Sequence, residues 1–132
     1  MKIEQTIIYL IAIIFEYTFY IYLKRLTDCE CSSSDGLSEM ITSTFINVII
    51  IIGRMIFTSS VPPPIIVTIF FIHYHFVSAV QTYLYLKSLK DAKCECSKST
   101  SREFFYYYHI AMGCLFGILL ALIYVALLIH LY

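Results

Sequence analysis

Four cysteines stand in two identical tetrapeptides, Cys29-Glu30-Cys31-Ser32 and Cys94-Glu95-Cys96-Ser97. A Cys-x-Cys step can aim two thiols to one side of a turn. If the two copies meet, Cys29, Cys31, Cys94 and Cys96 supply four thiolates, the donor set of a closed tetrahedral zinc site. Two other fates are open to the same thiols. Cysteines beside the ends of membrane helices are substrates for S-acylation. Alternatively they stay as ordinary reduced thiols, since cytosol disfavours disulfides. Apart from possible zinc here, no cofactor is expected. Cys114, inside an apolar run, reads as a small packing residue.

A second set of candidates comes from ionisable residues inside apolar runs, where burying a charge is costly. Glu16, Arg54, His73 and His75 fall at similar depths when residues are counted inward from the outer helix ends. With ~1.5 Å of rise per residue, Glu16 and Arg54 come within about 6 Å in depth. An ion pair between them with a histidine alongside would form a polar clasp between helices; the functional alternative is a proton or ion path. His73 and His75 are two apart, so a helix points them to nearly opposite sides and makes them poor joint metal ligands. His109 and His130 lie near opposite ends of the last apolar run and read as interfacial. No filter motif or repeated charge lines a pore.

No nucleophile has a paired base, and there is no Gly-rich phosphate loop, so an enzyme is not expected. The 132 residues are 60% hydrophobic and 14% charged, against about 45–50% and about 25% in ordinary soluble domains. Nine basic and nine acidic residues cancel, which removes the electrostatic footprint of a nucleic-acid binder. The partner implied is a lipid bilayer.

The elements that carry these residues are four apolar runs: 7–26, 40–60, 64–89 and 104–132. Each meets the roughly 20 helical residues needed to span hydrocarbon, and helices alone satisfy backbone amides within one segment. The expected fold class is therefore all-α: a polytopic membrane protein with four transmembrane helices in a single membrane domain over 1–132. The first run contains Glu16, and its positive charges (Lys24, Arg25) follow it, so it reads as a retained helix rather than a secretory signal.

The tetrapeptides belong to a longer repeat. Residues 22–32 and 85–97 match once Ala92-Lys93 is set aside, and nine of eleven aligned positions are identical; only Arg25/Ser88 and Thr27/Lys90 differ. This describes two copies of one helical hairpin, repeat one over 7–60 and repeat two over 64–132. With two helices per unit both copies point the same way, a parallel repeat about an axis along the membrane normal. Both cysteine loops then share one side with Lys24, Arg25, Lys87, Lys90, Lys93, Lys98 and Arg102, leaving Lys2 and Arg54 elsewhere. The positive-inside rule makes that side cytoplasmic and both termini non-cytoplasmic.

Tyr17, Tyr20, Tyr22, Tyr83, Tyr85 and Tyr106 to Tyr108 gather at the same end, as headgroup-level aromatics do. Pro62-Pro63-Pro64 suits a helix start. Thr100-Ser101-Arg102-Glu103 fits a capping box for the last helix, and Asp35-Gly36 marks the end of the first loop. Gly113, Gly117 and Ala121 line one stripe of the last helix, where another helix can approach closely. Packing against the first or third helix of the same chain is the simpler use, a homo-oligomer seam the other.

The second loop, with Tyr85-Leu86-Lys87 ahead of Cys94-Glu95-Cys96-Ser97 and Arg102-Glu103 opening a Tyr-rich helix, resembles one in small multi-pass membrane proteins of large double-stranded DNA viruses of algae and protists. Ile- and Tyr-rich usage suits an AT-rich genome of that kind. The resemblance covers the two loops and their flanking helix ends, about a third of the chain; the first loop departs from it with Leu37 and Ser38 where the second has Arg102 and Glu103. It implies a component of a virion inner membrane or a protein acting in host membranes. Two expectations follow. One is a non-enzymatic structural or organising protein whose cytoplasmic loops contact a capsid or membrane protein partner. The other is a small ion or proton channel or transporter using Glu16, Arg54, His73 and His75.

Overall fold

The computed structural model describes residues 3–32, 35–56 and 64–131. The chain order is helix α1 (Ile3–Leu26), a 3₁₀ turn at Glu30–Ser32, α2 (Asp35–Ile56), α3 (Ile65–Asp91), a second 3₁₀ turn at Glu95–Ser97 and α4 (Thr100–Leu131). All four helices are long and apolar enough to cross a membrane, the all-α multi-pass architecture expected from the apolar runs. At ~1.5 Å per residue, the 22 residues of α2 cover about 33 Å and the 32 residues of α4 about 48 Å. Against ~30 Å of hydrocarbon, α2 just spans and α4 extends beyond the lipid.

Three helix starts lie earlier than the apolar runs. α1 begins at Ile3 instead of Ile7, α2 at Asp35 instead of Met40, and α4 at Thr100 instead of Phe104. An apolar run marks where lipid begins, whereas the helix continues through its polar first turn into the interface. The cap of α4 also differs from the expected capping box. Ser99, not Thr100, closes the helix, its Oγ accepting from the Arg102 N–H at 3.1 Å. Glu103 does not reach back to the cap but accepts from Lys90 Nζ at 2.8 Å. α3 starts behind Pro64, whose carbonyl accepts from the N–H groups of Val67 (2.9 Å) and Thr68 (3.2 Å). The expected outer turn, with Ser59, Ser60, Pro62 and Pro63, and the outer end of the second run lie outside the described residues, as does Tyr132.

α1 packs along α2 and α3 along α4, while α2 meets α3 over a shorter line. α1 and α4 are bridged by rings. Phe15 lies 4.1 Å from Tyr108 and 5.6 Å from Phe105, and Phe19 lies 4.7 Å from Phe105 and 4.9 Å from His109, centroid to centroid. The packed core sits at the loop end: Phe19, Tyr22, Leu23 and Leu26 from α1, Leu37 and Met40 from α2, Leu86 and Leu89 from α3, Phe105 from α4, with Cys29 and Cys94. Farther from the loops, Ile7, Ile11, Ile14, Ile49, Ile66, Phe70 and Leu122 are exposed on the helix surfaces. That division has a physical cause. Lipid tails are as apolar as leucine, so the hydrophobic effect gathers side chains only where the helices reach the water-facing end.

The end of α3 shows how the second loop is aimed. The Cys94 N–H donates to the Leu89 carbonyl at 3.1 Å and the Lys93 N–H to Lys90 at 3.1 Å, the two bonds of a Schellman motif, with Lys93 at φ 51° where glycine is usual. Lys93 is part of the Ala92-Lys93 insertion that the first loop lacks. A non-glycine residue in this region costs about 1 kcal/mol. Lys93→Gly is therefore expected to raise the unfolding free energy in detergent by roughly 0.5–1 kcal/mol, and Lys93→Val to lower it, since a β-branched residue is worse there. Midpoints of denaturant unfolding for the three proteins check the order.

Candidate functional site

Each cysteine loop is a single 3₁₀ turn closed twice by its serine. The Ser32 N–H donates to the Cys29 carbonyl at 3.0 Å and its hydroxyl donates to the same oxygen at 2.9 Å. Ser97 repeats both bonds to the Cys94 carbonyl, at 3.1 Å and 2.7 Å. The single Ser32 hydroxyl proton is shared with the Leu26 carbonyl, which fixes the first turn to the end of α1. Both serines are buried. In each turn the first cysteine, Cys29 or Cys94, is buried and the second, Cys31 or Cys96, is exposed.

The two turns lie side by side, and their sulfurs cross-pair. Cys29 is bonded to Cys96 and Cys31 to Cys94, with Cα separations of 6.2 Å and 5.9 Å, inside the usual range for a disulfide. Each link thus joins a buried cysteine of one loop to an exposed cysteine of the other. The links also touch: Cys31 Sγ lies 3.4 Å from Cys96 Sγ, and Cys94 Sγ lies 3.7 Å from Cys96 Sγ. All four sulfurs therefore form one cluster, and those of Cys31, Cys94 and Cys96 lie within 4.8 Å of one another. Separate reduced thiols and S-acylation, both open from the sequence, do not describe this arrangement, because the sulfurs are spent on one another. The expectation that compartment chemistry alone would keep them apart gives way to the geometry of the two turns. Cys114 stands alone and exposed on α4.

Side chains around the cluster hold the loops in place. Tyr85 of α3 donates its hydroxyl to the Ser32 carbonyl at 2.9 Å, tying the second hairpin to the first loop. Buried Arg102 donates from an Nη to Ser97 Oγ at 3.1 Å, and its Nε and other Nη face Glu103 Oε1 at 3.4 and 3.3 Å. The other carboxylate oxygen of Glu103 takes the Lys90 ammonium, which also lies 4.3 Å above the Tyr106 ring. The first loop has Leu37, equally buried, at the position of Arg102. The roles of Ser32, Ser97 and Arg102 were not drawn from the sequence, although the Ser at the end of each Cys-Glu-Cys copy was the available signal.

Of the four intramembrane residues, Arg54 comes within electrostatic reach of His75, while Glu16 and His73 meet other partners. Glu16 is half-buried against α2 and accepts a hydrogen bond from the Asn47 side chain. Arg54 lies two turns farther along α2, its guanidinium 4.6 Å above the Phe71 ring of α3. The reason is register. A short loop pairs residues equidistant from it, as Tyr20 and Phe45 show at 6.4 Å, so Glu16 meets Asn47. Counting inward from the outer ends of the runs, instead of outward from the loop, misplaced that register. The histidines both reach α4, about two turns apart: His73 Nε2 lies 2.7 Å from Tyr124 Oη, and His75 stacks on Phe116 at 5.4 Å. They share a partner helix without sharing a site. His109, expected at the interface, is half-buried against Phe19, whereas His130 is exposed.

The small-residue stripe faces α3. A Cβ on Gly113 would meet Ala79 at 3.9 Å, and one on Gly117 would press on Phe76 at 3.2 Å. Ala121 continues the same surface beside an apolar hollow of about 610 Å³ between α3 and α4. Between α2 and α3 lies a smaller polar crevice of about 280 Å³ lined by Glu39, Ser43, Thr44, Ser78, Gln81 and Thr82. Just beyond its inner end, Ser43 Oγ and Tyr74 Oη are hydrogen-bonded at 2.8 Å.

Comparison with family models, with curated proteins and with solved structures returned no match.

The register makes a quantitative expectation. In a double-mutant cycle, Glu16→Leu and Asn47→Leu should be coupled by about 1 kcal/mol, the usual value of one hydrogen bond. Glu16→Leu and Arg54→Met should be additive within error. Unfolding free energies in one detergent give both cycles, and coupling to Arg54 in place of Asn47 would reverse the register.

Proposed function

We propose that this chain is a non-enzymatic organising protein of a membrane, with four spans anchoring a cross-tied loop end that meets a partner at the bilayer surface. The observation that carries this reading is how the polar side chains inside the spans are used. Glu16 with Asn47, Ser43 with Tyr74 and His73 with Tyr124 each join neighbouring helices, so these polar groups act as interhelical fasteners. The packed core and the sulfur cluster, by contrast, concentrate at the loop end.

The two hairpins are read as copies of one unit. Leu23 and Leu86, Leu26 and Leu89, Ser32 and Ser97, and Met40 and Phe105 occupy equivalent positions and are all buried, which supports a duplication. The seven basic residues near the loops support a cytoplasmic position for that end and a non-cytoplasmic one for both termini. Exposed Lys24, Arg25, Glu30, Lys87, Glu95 and Lys98 offer charges of both signs to a protein partner. The resemblance of the second loop supports a setting in a viral inner membrane, with a capsid or membrane protein, or a second copy, as that partner.

The polar crevice between α2 and α3 favours a second reading, a small ion or proton conduit. Its inner end meets the Ser43–Tyr74 hydrogen bond, and its lining residues fall in the half of the helices nearer the loops. The organising role therefore predicts that the protein in sealed vesicles passes no protons or small cations beyond the leak of empty vesicles. Flux lost on Ser43→Leu in a folded variant would establish the conduit instead. The orientation is checked separately: N-glycosylation acceptor sites fused to either terminus should both be modified in cells, and unmodified termini would invert the topology.

A further inference from the structure

We propose that the crossed Cys-Glu-Cys turns form a tetrathiolate zinc site when their sulfurs are reduced, with Cys29, Cys31, Cys94 and Cys96 as its four ligands. The first support is the shape of the cluster. A tetrahedral ion with sulfur bonds of ~2.3 Å sets its sulfurs ~3.8 Å apart. The contacts between the two linked pairs, Cys31 to Cys96 at 3.4 Å and Cys94 to Cys96 at 3.7 Å, already approach that edge. The sulfurs of Cys31, Cys94 and Cys96 already lie within 4.8 Å of one another, and Cys29, bonded to Cys96, has to turn toward the other two to complete the set.

The second support is how the turns are built. Each cysteine pair sits in a 3₁₀ turn whose shape is set by the serine bonds to the cysteine carbonyls and not by the sulfurs. Tyr85 and Arg102 hold the turns to the helices. The donor set therefore stays assembled whether the sulfurs are bonded to each other or to an ion. Two ligands are buried and two exposed, leaving an entry path for the metal.

The third support is charge. A zinc ion with four thiolates carries two net negative charges, and Lys93 directly precedes Cys94 while Lys98 follows Cys96 by two residues. The basic residues that place this end in the cytoplasm also place it where disulfides are disfavoured. This third support rests on the orientation proposed above; the first two do not.

The chemistry balances. Two disulfides and two equivalents of a dithiol reductant give four cysteine thiols and two oxidised dithiols. One Zn²⁺ then replaces four thiol protons, which are released to solvent.

The test uses the full-length protein, purified in mild detergent with thiols blocked at lysis, and is read by elemental analysis and by intact mass. A parallel sample, reduced and freed of metal under inert atmosphere, is titrated with Co²⁺. The expected results are about one zinc per chain in the purified protein and one equivalent of Co²⁺ giving thiolate-to-cobalt charge-transfer absorption typical of a tetrahedral site. Both signals should fall to background in Cys31→Ser/Cys96→Ser, while Cys114→Ser keeps them. Two intact disulfides in the blocked sample together with no Co²⁺ absorption in the reduced one would overturn the proposal. So would four free thiols that bind neither metal. Glycosylation of the termini is scored independently, so a wrong orientation and an absent metal site are told apart.

Discussion

The side-by-side seating of two cysteine turns is the constraint on which the rest of this structure depends. Once their sulfurs meet, α1 and α3 must arrive at one end of the bundle and α2 and α4 must leave from it. The register of each hairpin then follows by counting outward from its turn, which is why Glu16 finds Asn47 and Phe45 finds Tyr20. The links span 67 and 63 residues. In the chain-entropy account, closing the first loop of that size restrains the unfolded chain by about 4 kcal/mol. The second link bridges neighbours of residues already joined, so it removes little further entropy and acts mainly to fix orientation.

A tie of this kind matters more in a membrane than in water. Within lipid the hydrophobic effect does not gather helices, and packing, hydrogen bonds and small-residue contacts must hold them. Here those contacts are distributed: Gly113 and Gly117 of α4 packed against α3, a few polar pairs, and the Phe15–Phe19 ladder joining α1 to α4. Where the bundle leaves the lipid, the ordinary driving force returns and Leu23, Leu26, Leu86, Leu89 and Phe105 close a core around the cysteines. The same sulfurs set a condition on their surroundings. As crosslinks they belong in an oxidising compartment, and as ligands they belong in a reducing one.

Much of the architecture was legible because its signals are periodic or repeated. Four apolar runs announced four helices, and two copies of Cys-Glu-Cys-Ser announced that the loops were a pair. The runs misjudged where α1, α2 and α4 begin, since hydropathy reports lipid and a polar first turn such as 35–39 is helical all the same. Glu16 and Arg54 stood out as charges in apolar runs, but their partners depend on register, which the turn dictates and composition does not. Arg102 was legible as a helix-start residue. Its burial against Ser97 was not, because Leu37 fills the equivalent place in the first loop and gives no polar pattern to match.

The cysteine cluster is what holds the two hairpins together here, whichever bonds its sulfurs make. A protease site inserted within 57–63, between α2 and α3, allows the folded protein to be cut into its two hairpins in mild detergent. The halves of the otherwise unaltered protein should stay together on a sizing column, and halves carrying Ser at all four loop positions should come apart. Halves that separate with the cysteines intact, or that hold equally well without them, would contradict it.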